Sequence, residues 1–114
     1  MARLAASLLA LVACDAFELH LHGPAFRHHG AQRTASEAFR RLHTLPIHTL
    51  DVHMARLFED DHRVRVHVRC HSGMRTQVVA RGVDADDALT AACDGVARRV
   101  RPNGREWRRG ARAF

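Results

Sequence analysis

The chain has 114 residues, enough for one domain around one core, and 46% of them are hydrophobic. All 18 basic residues are arginine, and the three cysteines form no CxxC pair, which excludes a disulfide framework and a cysteine zinc motif. The net charge of +6 is unevenly placed: residues 1–97 hold 11 Arg against 11 acids, residues 98–114 hold 7 Arg against Glu106, and a basic end of this kind seeks phosphate or an anionic lipid surface.

The first stretch, MARLAASLLALVAC, has one arginine and then a short apolar run, the outline of a secretory signal. LVAC even has the look of a lipoprotein cleavage box with Cys14 as the lipidated residue. The run is too short to span a bilayer as a helix. Residues 1–15 are therefore read as an extension ahead of the domain, either unstructured or the product of a start site placed too far upstream.

AFELHLHG, 16–23, alternates, with Phe17, Leu19 and Leu21 on one face and Glu18, His20 and His22 on the other, so it predicts a short strand stopped at Gly23-Pro24. Residues 25–45 are helical in composition. TASE, 34–37, is a capping-box pattern with Thr34 as N-cap and Glu37 at N3, while Ala35, Ala38, Phe39 and Leu42 make an apolar face that Pro46 ends; Gly30 leaves an earlier start near Phe26 open. IHTLDVHMARL, 47–57, alternates through Leu50, Val52 and Met54, and EDDH, 59–62, is the turn. RVRVHVRCH, 63–71, is the cleanest strand, with Val64, Val66, Val68 and Cys70 facing in and Arg63, Arg65, His67, Arg69 and His71 facing out. Ser72-Gly73 turns into a fourth strand, 74–82, whose inward residues are Thr76, Val78 and Ala80. The last helix starts at Asp84 as N-cap with Asp87 at N3, buries Ala85, Ala88, Leu89, Ala92, Cys93, Val96 and Val100, and stops at Pro102-Asn103-Gly104. The expected fold is α+β, a two-layer β-α-β-β-β-α domain over 16–102 with two helices packed on one face of a four-stranded sheet, followed by a basic tail, 103–114.

Three local patterns in this order resemble the ribosome hibernation-promoting factor family, also called ribosome-associated translation inhibitors or sigma-54 modulation proteins. FELHLHG is similar to that family's opening strand; AFRRLHTLPIHTLDVHM is similar to its first helix end and second strand; VARGVDADDALTAACDGVARRVR is similar to its last strand, acidic cap and basic final helix. The resemblance covers residues 16–102 and, lacking the family's extra dimerisation domain, is to its short form. It implies a cytoplasmic protein that acts without a cofactor and is a monomer off the ribosome. Its partner would be the small ribosomal subunit, where it would occupy the mRNA and tRNA channel on 16S rRNA.

The candidate RNA contacts fall into two sets. Arg40 and Arg41 end the first helix, and Arg98, Arg99 and Arg101 end the last. Complementing the helix dipole explains a basic helix end at about 0.3–1 kcal/mol per charge. It does not explain why the arginines continue through Arg105, Arg108, Arg109 and Arg112. Arg65, His67, Arg69, Arg75 and Arg81 line the sheet face away from the helices, which a merely solvated face would also explain. With no Tyr in the chain and no aromatic at these outward positions, base stacking is not expected, and recognition would read phosphates and shape.

The rival readings belong to other classes. His20 and His22 form an outward HxH, and His53 and His67 could neighbour each other, so an exported or periplasmic His-rich metal-binding protein is one alternative. The absence of HExxH or a cysteine partner argues against a metal centre. A generic double-stranded-RNA-binding module is another alternative, since its strand and helix order overlaps this one. No P-loop, GxSxG or GxGxxG occurs and no nucleophile is paired with a base, so neither an enzyme nor a small-molecule substrate is expected.

Overall fold

The computed structural model describes the backbone of residues 8–12, then residues 16–102 and 105. The element order is β1 (Leu8–Val12), β2 (Glu18–His22), a 3-10 turn (Pro24–Arg27), α1 (His29–Arg40), β3 (Ile47–Phe58), β4 (Asp61–Cys70), β5 (Arg75–Gly82) and α2 (Ala85–Arg99). From β2 onward this is the β-α-β-β-β-α order of an α+β fold. The strands lie in the sheet in chain order, β2 parallel to β3 and every other neighbouring pair antiparallel. Within the stretch read from sequence as an extension, Leu8–Val12 pairs with β2 as the outermost strand, a role its unbroken apolar run does not announce.

The alternating strands explain the two layers. Leu19, Leu21, Leu50, Val52, Val64, Val66, Val68 and Val78 are buried and form one face with the apolar sides of both helices. In β3 the alternation breaks once: Ile47 is buried, and so are Leu50, Val52 and Met54. A register shift between Ile47 and Thr49 accounts for it, because the extra residue of a bulge turns the side chains before it to the other face.

The first helix begins nearly two turns earlier than the capping-box pattern predicts. His28 is its N-cap, and Thr34 lies inside it, its Oγ1 donating back to the Gly30 carbonyl at 3.0 Å. The 3-10 turn sets this start. It drives Phe26 fully into the core, and the Gln32 side chain donates to the Phe26 carbonyl at 2.8 Å, tying the turn to the helix. Gly30 then falls in the first turn, where a glycine costs little. At Gly23 the chain leaves β2 with φ 106°, a conformation open to glycine, and a Cβ there would lie 2.9 Å from the Met54 carbonyl oxygen.

The second helix starts as predicted. Asp84 Oδ1 accepts from the Asp87 backbone N–H at 2.8 Å, and Asp86 and Asp87 complement the positive end of the dipole. It ends at Arg99, before Arg101. Val100 is extended, which carries its side chain into the core, and Pro102 disfavours a helical conformation at Arg101. The helix packs tightly on β5, since a Cβ at Gly95 would meet Val78 Cγ1 at 2.6 Å. Asp84→Ala should cost about 1 kcal/mol and lower the melting temperature by about 4–8 °C, measured by thermal unfolding. An unchanged transition would show that the cap contributes nothing.

Candidate nucleic-acid interface

The topology fixes which residues share an end of the molecule. β2 and β3 are parallel, so α1 must run back antiparallel to them; α2 likewise runs antiparallel to β5. Both helices thus bring their C-termini to the end where β4 finishes and β5 begins. Arg40, Arg41, Arg98 and Arg99 come from the helices and Arg69 and Arg75, register partners across the β4–β5 pair, come from the sheet. The opposite end collects Glu59, Asp60 and Asp61 of the β3–β4 turn and Asp84, Asp86 and Asp87 of the α2 start. The fold therefore separates charges that the sequence interleaves.

The arginines at the basic end are not equivalent. Arg41 donates to Asp94 Oδ1 at 2.6 Å and to Cys93 Sγ at 3.4 Å, joining α1 to α2. These two hydrogen bonds, that to Cys93 first, raise the pKa of its guanidinium. The Cys93 thiol is pushed up by burial, with Arg41 opposing the shift. Arg99 donates to the Gln77 carbonyl of β5 at 3.1 Å. Among the described residues the side chains of Arg40 and Arg98 have no hydrogen-bond or ion-pair partner, and both are exposed. Arg101 follows the helix end half-buried, and its backbone N–H donates to the Arg105 carbonyl at 2.8 Å. Arg108, Arg109 and Arg112 lie outside the described residues.

The sheet face away from the helices is a largely polar grid of side chains. One row across it is His20, Asp51, His67 and Gln77; the next is His22, His53, Arg65 and Val79; the row nearest the basic end is Glu18, Thr49, Arg69 and Arg75. Arg65, His67, Arg69 and Arg81 are all exposed, as the alternation predicts. Arg81 is set apart from the others: it sits toward the acidic end, 3.5 Å from Asp61 Oδ2. The imidazoles of His22 and His53 stack at 4.4 Å, and His53 meets His67 edge-on at 5.7 Å. Desolvation, then the neighbouring His22 and His67, lowers the His53 pKa. Beside them is a shallow hollow of about 320 Å³ that also reaches Arg63 and Arg65.

The sequence places Arg63 on this outward face but not among the candidate contacts, and it leaves Asp51 out altogether. Arg63 carried the signal, since it shares its parity with Arg65. Asp51 also points outward by alternation, but its position opposite His20 depends on a parallel register across a helical crossover, which no local pattern encodes. No helix among the described residues is long and apolar enough to cross a membrane. No model of a known protein family matches the chain, and neither does any curated protein.

Proposed function

We propose that this chain binds the small ribosomal subunit through 16S rRNA, and that it inhibits translation by filling the channel through which mRNA and tRNA pass. The observation that carries the reading is the convergence of Arg40, Arg98, Arg99, Arg69 and Arg75 on one end, continued by the arginine-rich segment after Pro102. The order and spacing of the segments across 16–102, which resemble the hibernation-factor family, add the ribosome to what would otherwise be a polyanion. The action is by occupancy: a rigid two-layer domain carries a phosphate-binding end into the channel, and no bond is made or broken. Guanidinium groups suit this role because their fork of donors grips phosphate oxygens at a fixed geometry. Among the described residues the exposed phenylalanine, Phe58, lies at the β3–β4 turn away from the basic end, so contact by the described residues of that end would be with phosphate and shape.

The test is sedimentation of the chain with purified small subunits across a salt series. The chain should co-sediment at low salt and be displaced by mRNA and tRNA. Its log affinity should fall linearly with log salt, with a slope of about −3 to −5 for four to six phosphate contacts. A flat salt dependence would overturn the electrostatic basis. Equal affinity for any RNA duplex, without competition by tRNA, would identify a generic double-stranded-RNA-binding module instead.

A further inference from the structure

We propose that His20, His22 and Asp51 form a binding site for a divalent transition-metal ion of the zinc type. His20 and His22 are alternate residues of β2 and so share the outer face, and Asp51 of β3 is the register partner of His20. Asp51 Oδ1 lies 3.0 Å from His22 Nε2 and 3.3 Å from His20 Nδ1, and the three donor atoms all lie within 4.8 Å of one another. Two ligands bound at zinc's usual distances and a tetrahedral angle are about 3.3 Å apart, so the two separations from Asp51 match edges of a coordination sphere.

A neutral His20 cannot satisfy this arrangement by hydrogen bonding: the ring needs either a second proton or a metal cation at one nitrogen. His20 faces a carboxylate with each ring nitrogen: Nδ1 toward Asp51, and Nε2 toward Glu18 Oε1 at 3.0 Å. A neutral imidazole has one N–H, so one of those contacts sets a nitrogen lone pair against an anionic oxygen. A cation between His20 Nδ1 and Asp51 Oδ1 resolves the conflict. The imidazole then donates Nε2–H to Glu18, which is the carboxylate–histidine–metal relay that orients ligating histidines elsewhere. His53 stacked on His22 at 4.4 Å holds the second ring in place. All three donor residues are half-buried, which limits competition from water while leaving further coordination positions to solvent. Imidazole with carboxylate selects zinc, nickel or copper over magnesium or calcium.

The site is independent of RNA binding and is tested on the full chain by calorimetric titration with zinc chloride at pH 7.5. One ion should bind per chain. His22→Asn and Asp51→Asn should each weaken binding at least about tenfold, and Glu18→Gln, which removes only the orienting carboxylate, about tenfold or more. The double variant His28→Asn, His29→Asn, on the helix side, should bind as the wild type does. In the unaltered chain, zinc should shift the imidazole NMR resonances of His20 and His22 before those of His28 and His29, a readout that needs no variant to fold. The proposal is overturned if zinc binding does not saturate, if it survives Asp51→Asn, if it is lost with His28 and His29, or if cobalt gives an intense thiolate band, which would move the metal to cysteine.

Discussion

Replacing Arg40, Arg98 and Arg99 together with glutamine should lower affinity for purified small subunits roughly a hundredfold at moderate salt, with each lost phosphate contact taking about 0.7–0.9 from the log–log salt slope. The three are chosen on structural grounds. All lie at the end where both helices finish, and Arg40 and Arg98 have no side-chain partner to lose among the described residues. Two controls separate RNA contact from structure. Arg41→Gln removes the link to Asp94 and Cys93, and Arg81→Gln removes the pairing with Asp61 at the other end. Each should change affinity by less than about threefold, since the Arg41 charge is already neutralised by the Asp94 carboxylate and Arg81 lies far from the basic end. Circular dichroism should show all three variants folded. A triple variant that binds as tightly as the wild type would overturn the assignment of this end as the contact surface. Unfolding of the triple variant would mean that dipole complementarity is the main role of these charges.

Phe39→Ala should be the most destabilising single change, at about 3–5 kcal/mol in urea unfolding. The reason is how little else holds α1. Its fully buried side chains are Ala35 and Phe39, with Leu42 following just past the helix end. Removing the ring leaves a cavity in the core, and Ala35 is too small to fill it. Phe39→Leu keeps most of the volume and should cost about 1 kcal/mol. Because domains of this size are held by about 5–15 kcal/mol in total, the alanine variant should be largely unfolded at 37 °C if the wild type lies near the low end. A loss below about 1 kcal/mol would show that α1 is held chiefly by its links to α2, such as Arg41 with Asp94.

The parts of the fold legible in the sequence are those set by short-range physics. Val64, Val66, Val68 and Cys70 alternate without a break, and all four are buried. Asp84 and Asp87 sit at cap spacing, and the predicted hydrogen bond is there at 2.8 Å. Thr34 shows the limit of a local motif. Its TASE pattern satisfies the capping box, yet Phe26 and Gln32 fix an earlier helix start through tertiary burial and a side-chain bond. The site divides in the same way. That Arg65, His67 and Arg69 share a face follows from parity alone. That Arg41 is tied to Asp94 depends on two helices lying side by side, which no spacing within either helix specifies. Placing Asp51 against His20 needed the parallel register as well as the alternation.

The contact of Arg99 with Gln77 bears on how the sheet ends. β5 is an outermost strand, and open edges invite strand addition from another chain. The Cys70 N–H donates to the Met74 carbonyl, so hydrogen-bonded pairs alternate from there, and Gln77, opposite His67, falls in a pair whose backbone groups point away from β4. Arg99 therefore occupies an acceptor on the free edge. A second copy docking edge to edge would have to displace that guanidinium and bring its own positive charge against it. The side chain proposed for phosphate contact thus also guards the sheet edge, so neutralising it should speed self-association.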